Sequence, residues 1–267
     1  MGYRLDLDQP LPHEVQRCLA EQIDLAMTAF VEHPRPQAVH EVRKMCKRTR
    51  ALVALIGQDL KKKDAKTLRL GFRDSARLLA SMRDAEVLWQ TIAKLGFEIN
   101  APAAASSRQE RADELISETQ TRLSQLQGKV TLLDYSKLRT KTLRKGFRRA
   151  FKMARRQYQE ALSKRDAESF HEWRKTVKHN GYHLTLLGND VAYQEVDELQ
   201  EHLGNDHDLA LLLDQLHQLD LAPDLRDAIE TRANERSSAI RQQITILGTK
   251  LYDAKKPRWA TETIKSL

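Results

Sequence analysis

A stretch of this chain occurs twice. Residues 39–57, "VHEVRKMCKRTRALVALIG", align without gaps on residues 170–188, "FHEWRKTVKHNGYHLTLLG", at an offset of 131. His40 pairs with His171, Glu41 with Glu172, Arg43 with Arg174, Lys44 with Lys175 and Lys47 with Lys178. Leu55 pairs with Leu186 and Gly57 with Gly188. A second echo follows each copy: "LASMRDAEVL" (79–88) matches "LGNDHDLALL" (203–212), Leu79 against Leu203 and Asp84 against Asp208. A repeat of helical hairpins constrains the fold, because each unit must bury its apolar face against a neighbour.

The apolar period within and around the repeat is helical. It predicts eight helices, at about residues 13–32, 37–56, 62–95, 108–126, 136–162, 167–187, 193–218 and 224–252. The third is expected to bend near Gly71 or Ser81, and "GFEINAPAAASS" (96–107) reads as a loop. Only 10 glycines and 7 prolines occur in 267 residues, so few breakers oppose helix. No convincing strand appears. The expected class is all-α: two four-helix bundles, 5–128 and 129–255, related by a pseudo-twofold axis within one unit over 1–267.

On a helical wheel His40, Arg43, Lys44, Lys47 and Arg50 form one stripe. Val42, Met45, Leu52, Val53 and Ile56 form the opposite one, which is the core face. The second copy behaves alike, with His171, Arg174, Lys175 and Lys178 opposite Trp173, Val177, Leu184 and Leu187. The repeated histidine therefore belongs to the polar stripe. Glu41 and Glu172 fall off its centre, so the stripe concentrates like charges, which repel at i,i+3 and i,i+4 spacing. Such a stripe points to an anion. The sequence 137–157 adds ten Lys/Arg and no acid. Lys141, Arg144, Arg148 and Arg155 flank its apolar stripe and are expected to support the same site.

The net charge of +8 favours a polyanionic partner. Cys18 and Cys46 sit at apolar helix positions and read as reduced core thiols. No uncharged apolar run approaches a membrane span, and no apolar leader is visible, so a cytoplasmic protein without a membrane is expected. The cationic neighbours of His40 and His171 disfavour a metal, and no cofactor is expected. "NDHDLA" (205–210) is acid-rich but has no counterpart in the first copy, and Asp84 and Asp208 read as partners of basic residues. No Walker loop, GxGxxG or GxSxG occurs. No repeated carboxylate pair faces the stripe to hold the Mg²⁺ that phosphoanhydride hydrolysis uses. The expectation is a binding protein rather than an enzyme. Nucleic acid is the alternative polyanion, but aromatic residues for base stacking make up only 6% and are nearly missing from the stripes, Tyr182 excepted.

The doubled H-E-x-R-K-x-x-K helix, followed by a helix carrying an L-x-x-x-R-D-type turn, resembles the CHAD family, the conserved histidine α-helical domain. The resemblance extends over about residues 5 to 255. It implies two four-helix bundles about a pseudo-twofold axis and non-catalytic binding of inorganic polyphosphate in a basic central groove. In some members it also implies association with polyphosphate granules. Carried over by position, it implies ligand contacts from His40, Arg43, Lys44, Lys47, His171, Arg174, Lys175 and Lys178. Arg50, Lys141, Arg144, Arg148, Arg155 and His179 would support them. Two departures stand out: His179 replaces Arg48 of the first copy and Gly181 replaces Arg50. The two halves are therefore expected to contribute unequally.

Overall fold

A computed structural model describes residues 2–99 and 106–267. The chain is all-α, with no strand among the described residues. Its helices are α1 (Leu11–Glu32), α2 (Arg35–Ile56), α3 (Lys62–Leu78), α4 (Ala80–Lys94), α5 (Ser106–Leu132), α6 (Thr140–Lys164), α7 (Ala167–Leu186), α8 (Asp190–Gln215), α9 (Pro223–Tyr252) and α10 (Arg258–Lys265). A short 3₁₀ turn, Leu216–Gln218, follows α8.

Ten α-helices are described where the sequence predicted eight. The long third helix is two. It breaks at Leu79, whose φ/ψ of −92°/7° leaves the helical region, and not at Gly71 or Ser81. Leu79 is fully buried. The break lets α3 pack on α2 and α5 while α4 turns onto α8 and α2. A straight helix could not bury both apolar faces. The tenth helix, α10, lies beyond the repeat. Its Trp259 packs edge-on against Phe147, Phe151 and Tyr252, and its indole N–H donates to the Leu251 carbonyl at 3.0 Å. Of the loop expected over 96–107, residues 96–99 are non-helical, 106 and 107 already belong to α5, and 100–105 lie outside the described residues.

Two closed rings of packing are present. One runs α1–α2–α3–α5 and back to α1, the other α6–α7–α8–α9 and back to α6. Between them α2 packs on α6 and α7, and α4 on α8. One continuous cluster of buried side chains runs through both rings. In α2 it includes Val42, Leu52 and Ile56, and in α7 Trp173, Val177 and Leu184. The core faces are those that the wheels assigned.

Local chemistry sets where α7 starts and stops. Asp166 caps its first turn by accepting from the Ser169 N–H at 2.7 Å, satisfying a donor that the helix leaves free. Gly188 ends it at φ +70°, a left-handed conformation that favours glycine. Gly57, its partner in the repeat, sits at φ −60°, so the paired glycines end their helices differently. Gly146 of α6 lies where an added Cβ would overlap the Leu55 carbonyl oxygen, which lets α6 and α2 approach backbone to backbone.

Candidate polyanion site

The packing of α2 on α7 and of α4 on α8 leaves a cavity of about 480 Å³ between the four helices. At about 30 Å³ per water, it has room for an extended polar ligand rather than one ion. Arg43, Lys47 and Arg50 of α2 and His171, Arg174, Lys175, Lys178 and His179 of α7 line it. Arg83 and Asp84 come from α4, His207 and Leu211 from α8, and Tyr182 from α7. Eight of the fourteen residues predicted from the sequence thus meet in one place, with four from the neighbouring helices α4 and α8.

The other six lie elsewhere. His40 is exposed at the outer end of the stripe, where Lys44, Lys47 and Arg83 all act on its imidazole. Lys44 turns to Glu41 at 2.6 Å. Lys175 pairs likewise with Glu172, although it also lines the cavity. The two glutamates that looked peripheral on the wheel therefore neutralise the lysines three residues on. Lys141, Arg144, Arg148 and Arg155 of α6 do not line the cavity. Arg155 donates to the Asp253 carbonyl at 2.9 Å, and Arg148 lines a depression on the outer surface. The physical reason is rotational. The core claims Leu143, Phe147, Phe151 and Ala154 of α6, and that choice turns the helix's cations outward.

Arg83 and His207 were not among the predicted ligands, yet the second echo holds them at matching positions, just before Asp84 and Asp208. Arg83 reaches Asp208 at 3.3 Å and its neighbour Asp84 at 3.5 Å. The aspartates therefore do hold a basic residue, across the junction of α4 and α8. His207 meets His171, with Nδ1 to Nδ1 at 3.2 Å. The guanidinium of Arg43 donates to the Ala76 carbonyl. Among the described residues, the Nε groups of Arg50 and Arg174 are buried without a hydrogen-bond partner. A buried donor without a partner costs about 1–3 kcal/mol, and an acceptor entering the cavity would remove that cost.

The electrostatics follow from this crowding. Burial, and then Lys178, Arg43, Arg174 and Arg83, push the Lys47 ammonium down to about 7. Burial, Arg174 and Arg83 bring Lys178 down to about 8, against the pull of Asp208 and Asp197. Burial also lowers Arg43 and Arg174, opposed by Asp84 and Asp208 respectively. The histidines move the same way. Burial, Arg174 and His171 hold His207 at about 3, and burial and His183 hold His179 at about 3. Burial lowers His40 and His171 too. Burial and mutual repulsion disfavour the charged forms of these groups, and an anion among them would oppose each of these shifts. His183 is different: buried, held at about 4 by burial and bonded to the Ala51 carbonyl at 2.8 Å, it is a core histidine.

Among the described residues no group of three or more His, Cys, Asp and Glu is placed to hold a metal ion. No described helix is long and apolar enough to cross a membrane. Cys18 and Cys46 are buried free thiols, both pushed up to about 12 by burial.

Fold and site together define an all-helical protein with a cation-lined cavity at the junction of its repeated helices. The profile of the CHAD domain matches residues 16–217, and the chain belongs to the CHAD domain family. Its fold is similar to that of PptA from Streptomyces chartreusis, at a TM-score of 0.62 and 14% identity over 91% of this chain and all of the other. It is also similar to the crystal structure of the CHAD domain from the plant Ricinus communis, at a TM-score of 0.61 and 19% identity over the whole of this chain and 94% of the other. Comparison with curated proteins gives no match.

Proposed function

We propose that the chain binds inorganic polyphosphate in the cavity between α2, α4, α7 and α8, without making or breaking a bond. The family is linked in general to polyphosphate binding. The observation that carries the reading here is the convergence of Arg43, Lys47, Arg50, Arg83, Arg174, Lys175 and Lys178 on one cavity, where Asp84 is the single lining carboxylate among the described residues. That carboxylate and Asp208 already pair with Arg83. On this reading the two repeats act as halves of one groove about an approximate twofold axis, α2 facing α7 and α4 facing α8. The forked arginines bind phosphate oxygens through paired N–H groups, and the lysines act as compact point charges. The working place of such a protein is the cytoplasm, in association with polyphosphate granules.

A nucleic-acid backbone offers the same phosphates and is the second reading. The cavity supports it less well, because Tyr182 is the one aromatic ring besides histidine among its lining residues and base stacking uses several.

The test is calorimetric titration of long-chain polyphosphate into the wild type and into Lys47→Gln/Lys178→Gln, at two salt concentrations and with RNA as competitor. The expected result is binding that weakens with salt, is lost in a variant that still folds, and survives equal phosphate concentrations of RNA. Counterion release sets the salt slope, about 0.7 of a log unit per phosphate contact for a single-stranded polymer. No binding by the wild type, or full binding by the variant, refutes the proposal. Equal displacement by RNA favours the second reading.

A further inference from the structure

The cations of α6 remain to be explained. Lys145, Arg148, Arg149, Lys152, Met153 and Arg156 line a shallow depression on the outer surface, and all six are exposed. None of the five cations forms an ion pair with a carboxylate among the described residues. Like charges at i,i+3 and i,i+4 repel by a few tenths of a kcal/mol per pair. The helix cannot rotate to spread them, because Phe147, Phe151 and Ala154 fix its other face in the core. Packing therefore does not account for this array, and an external polyanion would relieve it.

The face is suited to bare phosphate. Among the described residues, no aromatic ring lines its depression for a base to stack on. Its one apolar member, Met153, is too little to anchor a helix in lipid. It also lies close to the cavity. Arg149 donates to the Ala54 carbonyl at 2.6 Å, about one helical turn beyond Arg50 on α2, and Arg50 lines the cavity. Cavity-lining His179 also lies beside His183, whose imidazole feels the charge of Arg149. From Lys145 to Arg156 the face runs about 16 Å along the helix.

We propose that the outer face of α6 is a second phosphate track that holds the part of a polyphosphate chain overhanging the cavity, so that the protein selects long chains over short ones. This rests on the cavity binding polyphosphate. A chain held in the cavity meets the second track at high effective concentration, which raises apparent affinity without any change at the first site.

The test uses Lys145→Gln/Arg148→Gln/Lys152→Gln/Arg156→Gln, all at exposed positions, with a short oligophosphate, long-chain polyphosphate and RNA as separate ligands, each affinity expressed per phosphate. The wild type is expected to bind long chains about tenfold or more tighter than short ones. The variant should keep the short-chain affinity and lose that preference. Long-chain binding unchanged in the variant, with short-chain binding intact, overturns the second track alone. Failure of the wild type to bind the short ligand counts against the cavity and removes the basis of both readings. A variant that loses RNA affinity but keeps its long-chain preference reassigns the face to nucleic acid and overturns the proposal.

Discussion

Replacing Lys47 with methionine should make the protein more stable and less able to bind its polyanion. In the folded chain the ammonium is held near 7 rather than at its ordinary 10.5. At about 1.4 kcal/mol per tenfold change in proton affinity, that gap corresponds to about 5 kcal/mol against the charged form. Side-chain relaxation and water entry reduce what a mutant recovers. Replacing even a buried ion pair with apolar residues of similar volume is often neutral or stabilising by roughly 1–4 kcal/mol, and Lys47 has no carboxylate partner among the described residues. For a chain of this size each kcal/mol moves Tm by about 2–4 °C, so Lys47→Met should melt at least about 2 °C higher at pH 7. Below pH 7 the lysine is charged in both states and its cost is present in full. Between pH 7 and 10.5 the unfolded chain holds more protons, so wild-type stability should climb with pH through that window. Lys178, held at about 8, adds a slope of the same sign. The variant should keep the Lys178 part and lose the rest. Polyphosphate reverses the sign, because an anion raises both lysines. Its binding at pH 8 should therefore take up protons, visible as a dependence of the calorimetric enthalpy on the buffer's ionisation enthalpy. Loss of one charged hydrogen bond, worth about 1.5–3 kcal/mol, should weaken affinity about tenfold or more. A variant that melts below the wild type, or one whose affinity and proton uptake are unchanged, would refute the assignment of Lys47 as a strained cation awaiting an anion.

Two other perturbations probe the same architecture. The unfolded state takes up protons on His207 near its ordinary 6.5 while the folded state resists until about 3, so stability should fall as pH drops through that range. His207→Gln should flatten the fall in denaturant titrations at pH 7 and pH 4.5, and an unaltered pH dependence would show that His207 is not held neutral. Gly146→Ala places a methyl group against the Leu55 carbonyl oxygen and should cost about 1–3 kcal/mol as α6 is forced off α2. Thermal melting reads this, and wild-type stability would show that the two helices are not in backbone contact.

What the sequence determined by itself was a matter of period and pairing. The helical spacing of Val42, Leu52 and Ile56, and of Trp173, Val177 and Leu184, told which sides of α2 and α7 face the core, because apolar burial is local to each helix. The duplication told that two cationic stripes exist and that they belong together. The tertiary structure decided what those stripes meet. The break at Leu79 depends on which neighbours α3 and α4 find, and no glycine or proline marks it. Arg83 and His207 became cavity residues only because α4 packs on α8, far apart in sequence. The sequence assigns the cations of α6 to the groove because they flank an apolar stripe. A stripe has two flanks, however, and only the close approach of Gly146 to Leu55 fixes which one turns inward. Periodicity fixes the face a helix buries. The direction its remaining side chains point depends on the rotation and neighbours that the assembled core imposes.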